Sequence, residues 1–275
     1  MEKKKEISRK MLFLDLDGTL LNDQKEVTEG NFRAIERAVD AGHIVTITTG
    51  RPLASSIEIA RNLGLVKAGC YLICFNGALI YDLEKRSILS EETLDVQLVE
   101  ILFEEAQNAG IHIHTYSHEK ILARGVTPEL LHYQKLTGME AEFDTEYPKG
   151  INPPNKVLLC ELDSTQRLEK FQADHRYLEK GRCQSAFSCE EYLEYNPVSS
   201  SKGAAIRKMA KLAGIDRKDT IAVGDERNDL SMIQAAGIGV AMKNGQPQVK
   251  EAADYITEHD NNEDAIEEVI DKFCF

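Results

Sequence analysis

Met11-Leu12-Phe13-Leu14-Asp15-Leu16-Asp17-Gly18-Thr19 is the stretch that decides how this chain is read: an apolar run stops at two carboxylates, a glycine and a hydroxyl. Apolar residues followed by alternating Leu and Asp read as a buried parallel strand ending in a charged turn. On a strand, Asp15 and Asp17 project from the same face, which forces two anions together at the strand's C-terminal end. A cation belongs there. Open α/β sheets take ligands in the crevice outside the carboxyl ends of their strands, and Gly18 lets the backbone turn tightly around a small ion or phosphate. A plain acidic turn is the bland alternative. An EF-hand loop opening at Asp15 fails on spacing, because it needs glycine where the chain has Leu20.

The rest of the composition narrows the class. A chain of 275 residues exceeds one average domain, so one large or two moderate domains are expected. With 42% hydrophobic and 29% charged residues it has an ordinary globular composition. Its net charge of -13 argues against a nucleic-acid groove, since no excess of Lys and Arg is available to neutralise a phosphate backbone. A small anionic substrate is also repelled at long range, so its binding must come from local cations, oriented N–H groups or a bound metal. The segment Met1 to Lys10 is basic and polar, and the apolar run after it is too short for a signal peptide or a membrane span, which predicts a cytoplasmic protein. Cys70, Cys74, Cys160, Cys183, Cys189 and Cys274 form no C-x-x-C pair and read as reduced structural thiols.

Outward from the first strand, the chain alternates strand and helix. A helix over 28–41 has Thr28 as its N-cap and Gly42 as its stop, and His43 to Thr48 forms a second strand. That strand ends in Thr49-Gly50-Arg51-Pro52, where a hydroxyl, a glycine and free N–H groups at a helix start suit an anion. A third strand, Cys70 to Phe75, is followed by Asn76-Gly77-Ala78. From about Asp82 to Glu194 the pattern changes to strands mixed with helices, among them helices around Pro128 to Thr137 and at Ser164 to Glu179, which suggests a separate α+β domain inserted into the first. Within it His112 and His114 alternate on one strand face near His118. Without a matching carboxylate or cysteine spacing they read as surface or substrate-facing groups more readily than as a metal site. The first domain resumes at Ser199-Ser200-Ser201-Lys202-Gly203, opening a helix over 204–212. Lys202 there opposes the helix dipole, a conflict that a bound phosphate resolves. A fourth buried strand, Thr220 to Val223, runs into Gly224-Asp225-Glu226-Arg227-Asn228-Asp229. Two acidic strand ends in one crevice are costly without a cation.

Together, Asp15-Leu16-Asp17-Gly18-Thr19, Thr49-Gly50-Arg51, Asn76-Gly77-Ala78, Lys202-Gly203 and Gly224-Asp225-x-x-Asn228-Asp229 resemble the haloacid dehalogenase superfamily, and within it the Cof-type hydrolases with a type IIB cap. The resemblance covers residues 11 to 81 and 196 to 271 by motif and the insert by position and element pattern only. Two departures, Lys243-Asn244-Gly245 for the usual Gly-Asn-Ala and Glu263-Asp264-Ala265 for the usual Asp-Gly, lie outside the catalytic set. The resemblance implies an α/β protein: a Rossmann-like doubly wound parallel-sheet core of residues 1–81 and 196–275, with an inserted α+β cap of residues 82–195 that selects the substrate.

It also implies a magnesium-dependent phosphatase of small phosphorylated metabolites. Asp15 would be the nucleophile and Asp17 the acid and then the base. Thr49 and Lys202 would hold the transferring oxygens, helped by Leu16, Asp17 and Gly50 N–H groups. Arg51, Asn76, Gly77 and Asn228 would face substrate or phosphate, and Mg2+ would be held by Asp15, the carbonyl of Asp17, Asp225 and, in support, Asp229. A phosphomutase or phosphotransferase using the same aspartyl-phosphate, and a non-catalytic phosphometabolite-binding protein, are the rival expectations. No nucleic acid, membrane or obligate protein partner is implied.

Overall fold

A computed structural model describes residues 8–275, so the basic opening segment is described only from Ser8 onward. The chain forms two compact units. One contains the chain up to Arg51, Ser56–Ser90 and Ser201–Phe275; the other contains Pro52–Ser55 and Glu91–Ser200.

The first unit is built on the apolar runs singled out above. β1 (Met11–Leu14), β2 (Ile44–Thr48), β3 (Cys70–Cys74), β4 (Leu79–Asp82) and β5 (Ser87–Glu91) come from the first part of the chain. The later part supplies β12 (Thr220–Gly224), β13 (Ile238–Ala241) and β14 (Tyr255–Ile256). They form one sheet in the order β14-β13-β12-β1-β2-β3-β4-β5. From β14 to β3 every pairing is parallel, and β1 and β12 are buried along their whole length, as continuous apolar runs in a covered sheet should be.

Chain direction explains where a ligand can go. From β1 the chain moves to β2 on one side and much later returns to β12 on the other, so the order of strands reverses between β1 and β12. This switch point is where open α/β sheets leave a crevice at their carboxyl ends. Leu14 lies opposite Val223 and Ile47, which brings the residues following those strands to one edge.

Helices α1 (Glu29–Asp40), α2 (Leu53–Asn62), α6 (Lys202–Ala213), α7 (Leu230–Ala235), α8 (Pro247–Ala252) and α9 (Ala265–Phe273) accompany this sheet. Ala205, Ile206 and Met209 of α6 and Met232 of α7 pack with Met11, Phe13, Ile44 and Ile73 in one apolar cluster. The buried Asn31 of α1 accepts the Ile266 and Glu267 N–H groups at the start of α9.

The second unit holds α3 (Val96–Ala109), β6 (His112–Tyr116), β7 (Ile121–Ala123), α4 (Pro128–Thr137), β8 (Ala141–Phe143), β9 (Val157–Cys160), α5 (Thr165–Asp174), β10 (Gln184–Cys189) and β11 (Tyr192–Asn196). Its sheet, ordered β10-β11-β9-β6-β7-β8, is antiparallel except between β7 and β8. Ile113, Leu159 and Leu193 share one face with Leu98, Leu102 and Phe103 of α3 and Leu168 and Phe171 of α5. Alternation sends His112, His114 and Tyr116 to the other face.

Several boundaries differ from the sequence reading. The first sheet continues through the β4–β5 hairpin, which the periodicity did not mark because β5 is largely exposed and carries no alternation of buried residues. The helix expected over 164–179 ends at Asp174 and is followed by a separate 3₁₀ turn, Arg176–Glu179. α6 starts at Lys202 itself, capped by the Ser201 hydroxyl accepting from Ala204 N–H at 3.1 Å. Thr28 flanks α1 as expected, but its side chain makes no cap bond. No helix among the described residues is long and apolar enough to cross a membrane, and all six cysteines are free thiols.

Candidate active site

The carboxyl ends of β1 and β12 deliver Asp15 and Asp225, and the first turn after β12 delivers Asp229. All three are buried, with carboxylate oxygens within 4.8 Å of one another. Asp15 is fixed to the sheet by its N–H, which donates to the Val223 carbonyl at 3.0 Å. Lys202, 1% exposed, donates from Nζ to Asp15 Oδ1 and to Asp229 Oδ1, both at 2.5 Å. The carbonyl edge of the sheet therefore holds three carboxylates around one ammonium.

The cluster divides its oxygens unequally. Asp229 spends Oδ1 on Lys202 and Oδ2 on the N–H groups of Asp225 and Glu226, each at 3.0 Å. Asp225 Oδ1 accepts the Thr19 hydroxyl at 2.8 Å. Among the described residues, no protein donor bonds Asp15 Oδ2 or Asp225 Oδ2. Burial, and after it the charge of Asp229, pushes the Asp15 carboxyl well above its usual range. Burial pushes Asp225 up to about 7, against the opposing effect of the Thr19 hydrogen bond. Burial would lower Lys202, but Asp15 and Asp229 outweigh it and hold the ammonium charged. One lysine does not neutralise the cluster. Two oxygens without protein donors, on buried carboxylates whose ionisation is resisted, fit a hard cation taking oxygen ligands.

Two glycines make room for this geometry. A Cβ on Gly18, which sits at φ +81°, would lie 2.4 Å from Asp225 Oδ2. A Cβ on Gly77, at φ +101°, would lie 2.3 Å from the Ser201 carbonyl, just before Lys202. Both positions require glycine on conformational and steric grounds.

The other expected residues gather at the ends of β2 and β3. Thr49 is buried; its N–H donates to the Ile73 carbonyl at 2.8 Å, and its hydroxyl accepts the Arg51 N–H at 3.1 Å. Asn76, at φ 53°, donates its N–H to the Thr49 carbonyl at 3.1 Å, and its Oδ1 accepts from Asn228 Nδ2 at 3.3 Å. Gly50 lies against the Asn76 amide: a Cβ there would sit 3.0 Å from Asn76 Oδ1. The Leu16 side chain is fully buried, leaving its backbone as the part available to a ligand.

Asp17 is placed differently from the shared strand face that the sequence pattern suggested. β1 ends at Leu14, and Asp17 lies beyond it in a turn joined to Leu21 by an isolated bridge. Its carboxylate is not part of the buried trio. Arg51 grips it with two bonds, Nε to Oδ2 at 2.8 Å and Nη2 to Oδ1 at 2.7 Å, and Lys25 Nζ reaches Oδ1 at 2.8 Å. Against a desolvation cost that would raise it, Arg51 and then Lys25 bring the Asp17 carboxyl down to about 2.

Lys25, Thr19 and Asn244 were not singled out in the sequence as site residues. Asn244 Nδ2 donates to the Gly18 carbonyl at 2.8 Å, so the departing Lys243-Asn244-Gly245 turn braces the first motif. The hydroxyl of Thr19 stood in the quoted motif and could have been assigned to Asp225; nothing local marks Lys25 or Asn244.

His114 does not take the surface half of the surface or substrate-facing role expected of His112 and His114, and the two share one chain of contacts. His114 is fully buried. The Thr127 hydroxyl accepts the Leu130 N–H at 3.2 Å, so its own hydrogen is available to His112 Nδ1 at 2.9 Å. With His112 protonated on Nε2, that nitrogen can donate to His114 Nδ1 at 3.0 Å, and His114 Nε2 in turn to the Tyr116 hydroxyl at 2.9 Å. Tyr116 donates onward to Tyr133 at 2.8 Å. A chain of hydrogen bonds thus ties the start and middle of α4 to β6, and burial favours the neutral form of both imidazoles. His118 is exposed and pairs with Glu91 at 2.7 Å.

Comparison with known proteins agrees with the site chemistry. The family profile described as haloacid dehalogenase-like hydrolase matches residues 12–270. A putative phosphatase of Streptococcus pyogenes is 32% identical over 263 residues, which cover 93% of this chain and 95% of the relative. The 5-amino-6-(5-phospho-D-ribitylamino)uracil phosphatase YcsE of Bacillus subtilis is 31% identical, with 97% of this chain and 96% of the relative covered. The crystal structure of a haloacid dehalogenase-like hydrolase from Bacteroides thetaiotaomicron has a TM-score of 0.90 and 30% identity, covering 96% of this chain and 99% of that one.

Proposed function

The chain belongs to the haloacid dehalogenase-like hydrolases, in their Cof-type branch, and from that premise we propose a magnesium-dependent reaction that passes through phosphorylated Asp15. It is a phosphatase of small phosphorylated metabolites. Family membership implies a divalent cation. The observation that carries the reading is the buried group Asp15, Asp225 and Asp229 around Lys202 at the sheet's switch point.

Asp15 attacks phosphorus, forming an Asp15 O–P bond as the bond to the leaving oxygen breaks; water later cleaves the new bond and frees phosphate. Asp17 gives a proton to the leaving oxygen and then takes one from water. Its ion pairs favour the carboxylate, which suits the second half, while the first half requires proton uptake at Asp17 when substrate is in place. The Lys202 ammonium, the Thr49 hydroxyl and the N–H groups of Leu16, Asp17 and Gly50 hold the transferring oxygens, with Asn76, Gly77 and Asn228 beside them. Magnesium bound by Asp15, the Asp17 carbonyl and Asp225 would neutralise the carboxylates and polarise the phosphoryl group. Asp229, with both oxygens already engaged, orients Lys202 and the Asp225 backbone.

The insert, 82–195 in the sequence reading, supplies substrate preference in this proposal, and the protein works in the cytoplasm. Purified protein incubated with magnesium and a panel of sugar phosphates, pyridoxal phosphate and the phosphoribitylamino-uracil ester tests the reading. Release of inorganic phosphate that vanishes in Asp15→Asn supports it. No release from any ester, or release undiminished in a folded Asp15→Asn variant, overturns it.

A further inference from the structure

Arg51 was expected to face phosphate, yet its fork is directed at a carboxylate. Nε and Nη2 both engage Asp17, one to each oxygen, at 2.8 and 2.7 Å. A bidentate guanidinium fixes the plane and direction of a carboxylate, whereas a single ammonium fixes only its distance. The Arg51 backbone is pinned on both sides as well. Its N–H donates to Thr49 Oγ1 at 3.1 Å, and its carbonyl accepts the Phe75 N–H at 3.1 Å. The guanidinium is therefore carried by the same two strand ends that present Thr49 and Asn76.

Asp17 needs such support. It follows the end of β1 and its side chain is 42% exposed; the turn's own bonds, from the Thr19 and Leu21 N–H groups to the Leu16 carbonyl and from the Leu20 N–H to the Asp15 carbonyl, hold its backbone and not its carboxylate. The second cation comes from a backbone in an uncommon state: Lys25 sits at φ 63°, where non-glycine residues are rare, and from there Nζ reaches Asp17 Oδ1 at 2.8 Å.

Resting on the phosphatase reading above, we propose that Arg51 is a positioning residue that acts through Asp17, aligning its carboxylate with the leaving oxygen, and is not an anchor for the phosphoryl group. It makes no bond to the transferring phosphate; it ties the direction of the Asp17 carboxylate to the β2 and β3 ends. Its effect should follow the need for proton transfer to the leaving group. An alkyl phosphate expels a strongly basic alkoxide and depends on Asp17. p-Nitrophenyl phosphate expels a stable phenolate and depends on it little.

The test is kcat/KM, which reports steps up to loss of the leaving group, for glycerol phosphate and p-nitrophenyl phosphate in wild type, Arg51→Met, Arg51→Lys, Asp17→Asn and the Asp17→Asn/Arg51→Met double variant. Positioning predicts that Arg51→Met lowers kcat/KM for the alkyl ester by about 10-fold or more beyond its effect on the nitrophenyl ester, out of the roughly 100-fold or more that general acid catalysis supplies. Arg51→Lys should recover only part of the loss, and Arg51→Met should add nothing in the Asp17→Asn background. Equal losses on both esters, with weaker inhibition by inorganic phosphate, would make Arg51 a phosphate anchor and overturn the proposal. An undiminished Arg51→Met effect in the Asp17→Asn background would overturn it too. Circular dichroism on each variant separates these results from misfolding, and Arg51→Lys retains a cation if Arg51→Met does not fold. Wild-type protein inactive on both esters and on the metabolite panel would instead overturn the phosphatase reading itself.

Discussion

Mild acid should loosen the second unit through its imidazole chain, by an amount that follows from the burial of His112. Burial brings His112 from 6.5 down to about 4, partly opposed by Glu129, and holds His114 well below its usual value, with His112 and Lys156 acting in the same direction. The unfolded chain therefore takes up protons below about pH 6.5 that the folded chain resists until about pH 4. In that window the unfolded state binds more protons, so stability rises with pH and is lost on acidification. For His112 alone the integrated loss is about 2 kcal/mol between pH 7 and pH 5, reaching about 3 kcal/mol at pH 4. His114 adds to it with the same sign. Urea unfolding at pH 7, 6 and 5, followed by circular dichroism, measures the slope. Hydrogen exchange on peptides covering 111–116 and 127–137, corrected for intrinsic rates, shows whether β6 and α4 open first. His112→Gln removes the titrating group and should flatten the dependence by about 2 kcal/mol over that interval, whatever it costs at pH 7. Carboxylates elsewhere titrate equally in both proteins and cancel. An identical slope in His112→Gln would refute the assignment.

Asp15→Asn should abolish phosphate release while leaving the cation-free melting temperature equal or higher, because it removes one of three crowded buried carboxylates; a folded variant with near-normal turnover contradicts the nucleophile assignment. Lys202→Met should destabilise the cation-free protein by about 3 to 5 kcal/mol, the cost of leaving buried charge unpaired, and magnesium should recover part of it in a thermal melt. Failure of magnesium to raise the melting temperature of either wild type or this variant would argue against a cation among the three aspartates. Gly77→Ala should lower stability by about 2 kcal/mol or more and reduce activity, since the new Cβ at positive φ meets the Ser201 carbonyl ahead of Lys202; an unchanged urea midpoint would show that the turn yields easily.

Elements that must be buried announced themselves. β1, β2, β3, β9 and β12 are apolar on consecutive residues because both their faces are covered. α4 lies where a helix is expected around Pro128 to Thr137, and Thr127, Pro128 and Gly138 supply its cap, first-turn proline and left-handed stop. β5 and β8 escaped because an exposed edge strand is held by backbone hydrogen bonds that leave no pattern in the side chains. The break between α5 and the following 3₁₀ turn likewise lies in backbone geometry that apolar spacing does not record.

For the site, what could be read depended on whether the order of the strands alone brings a residue to its partner. Asp15, Asp225 and Lys202 stand at strand and helix ends, so topology alone brings them together at the switch point. The roles of Asp17 and Arg51 could not be separated in that way, because a carboxylate after the strand's end can turn toward the metal or toward a cation 34 residues later. Its choice is an energetic matter. Entering the trio would add a fourth anion to a pocket that one lysine already fails to neutralise, whereas turning outward gains two charge-assisted bonds from Arg51 and one from Lys25. The same balance leaves Asp17 partly exposed, where solvent and a leaving group can reach it, while Asp15 is buried with one oxygen held by Lys202. Two carboxylates two residues apart thus acquire different chemistry from their surroundings, and a nucleophile and an acid–base group require that difference.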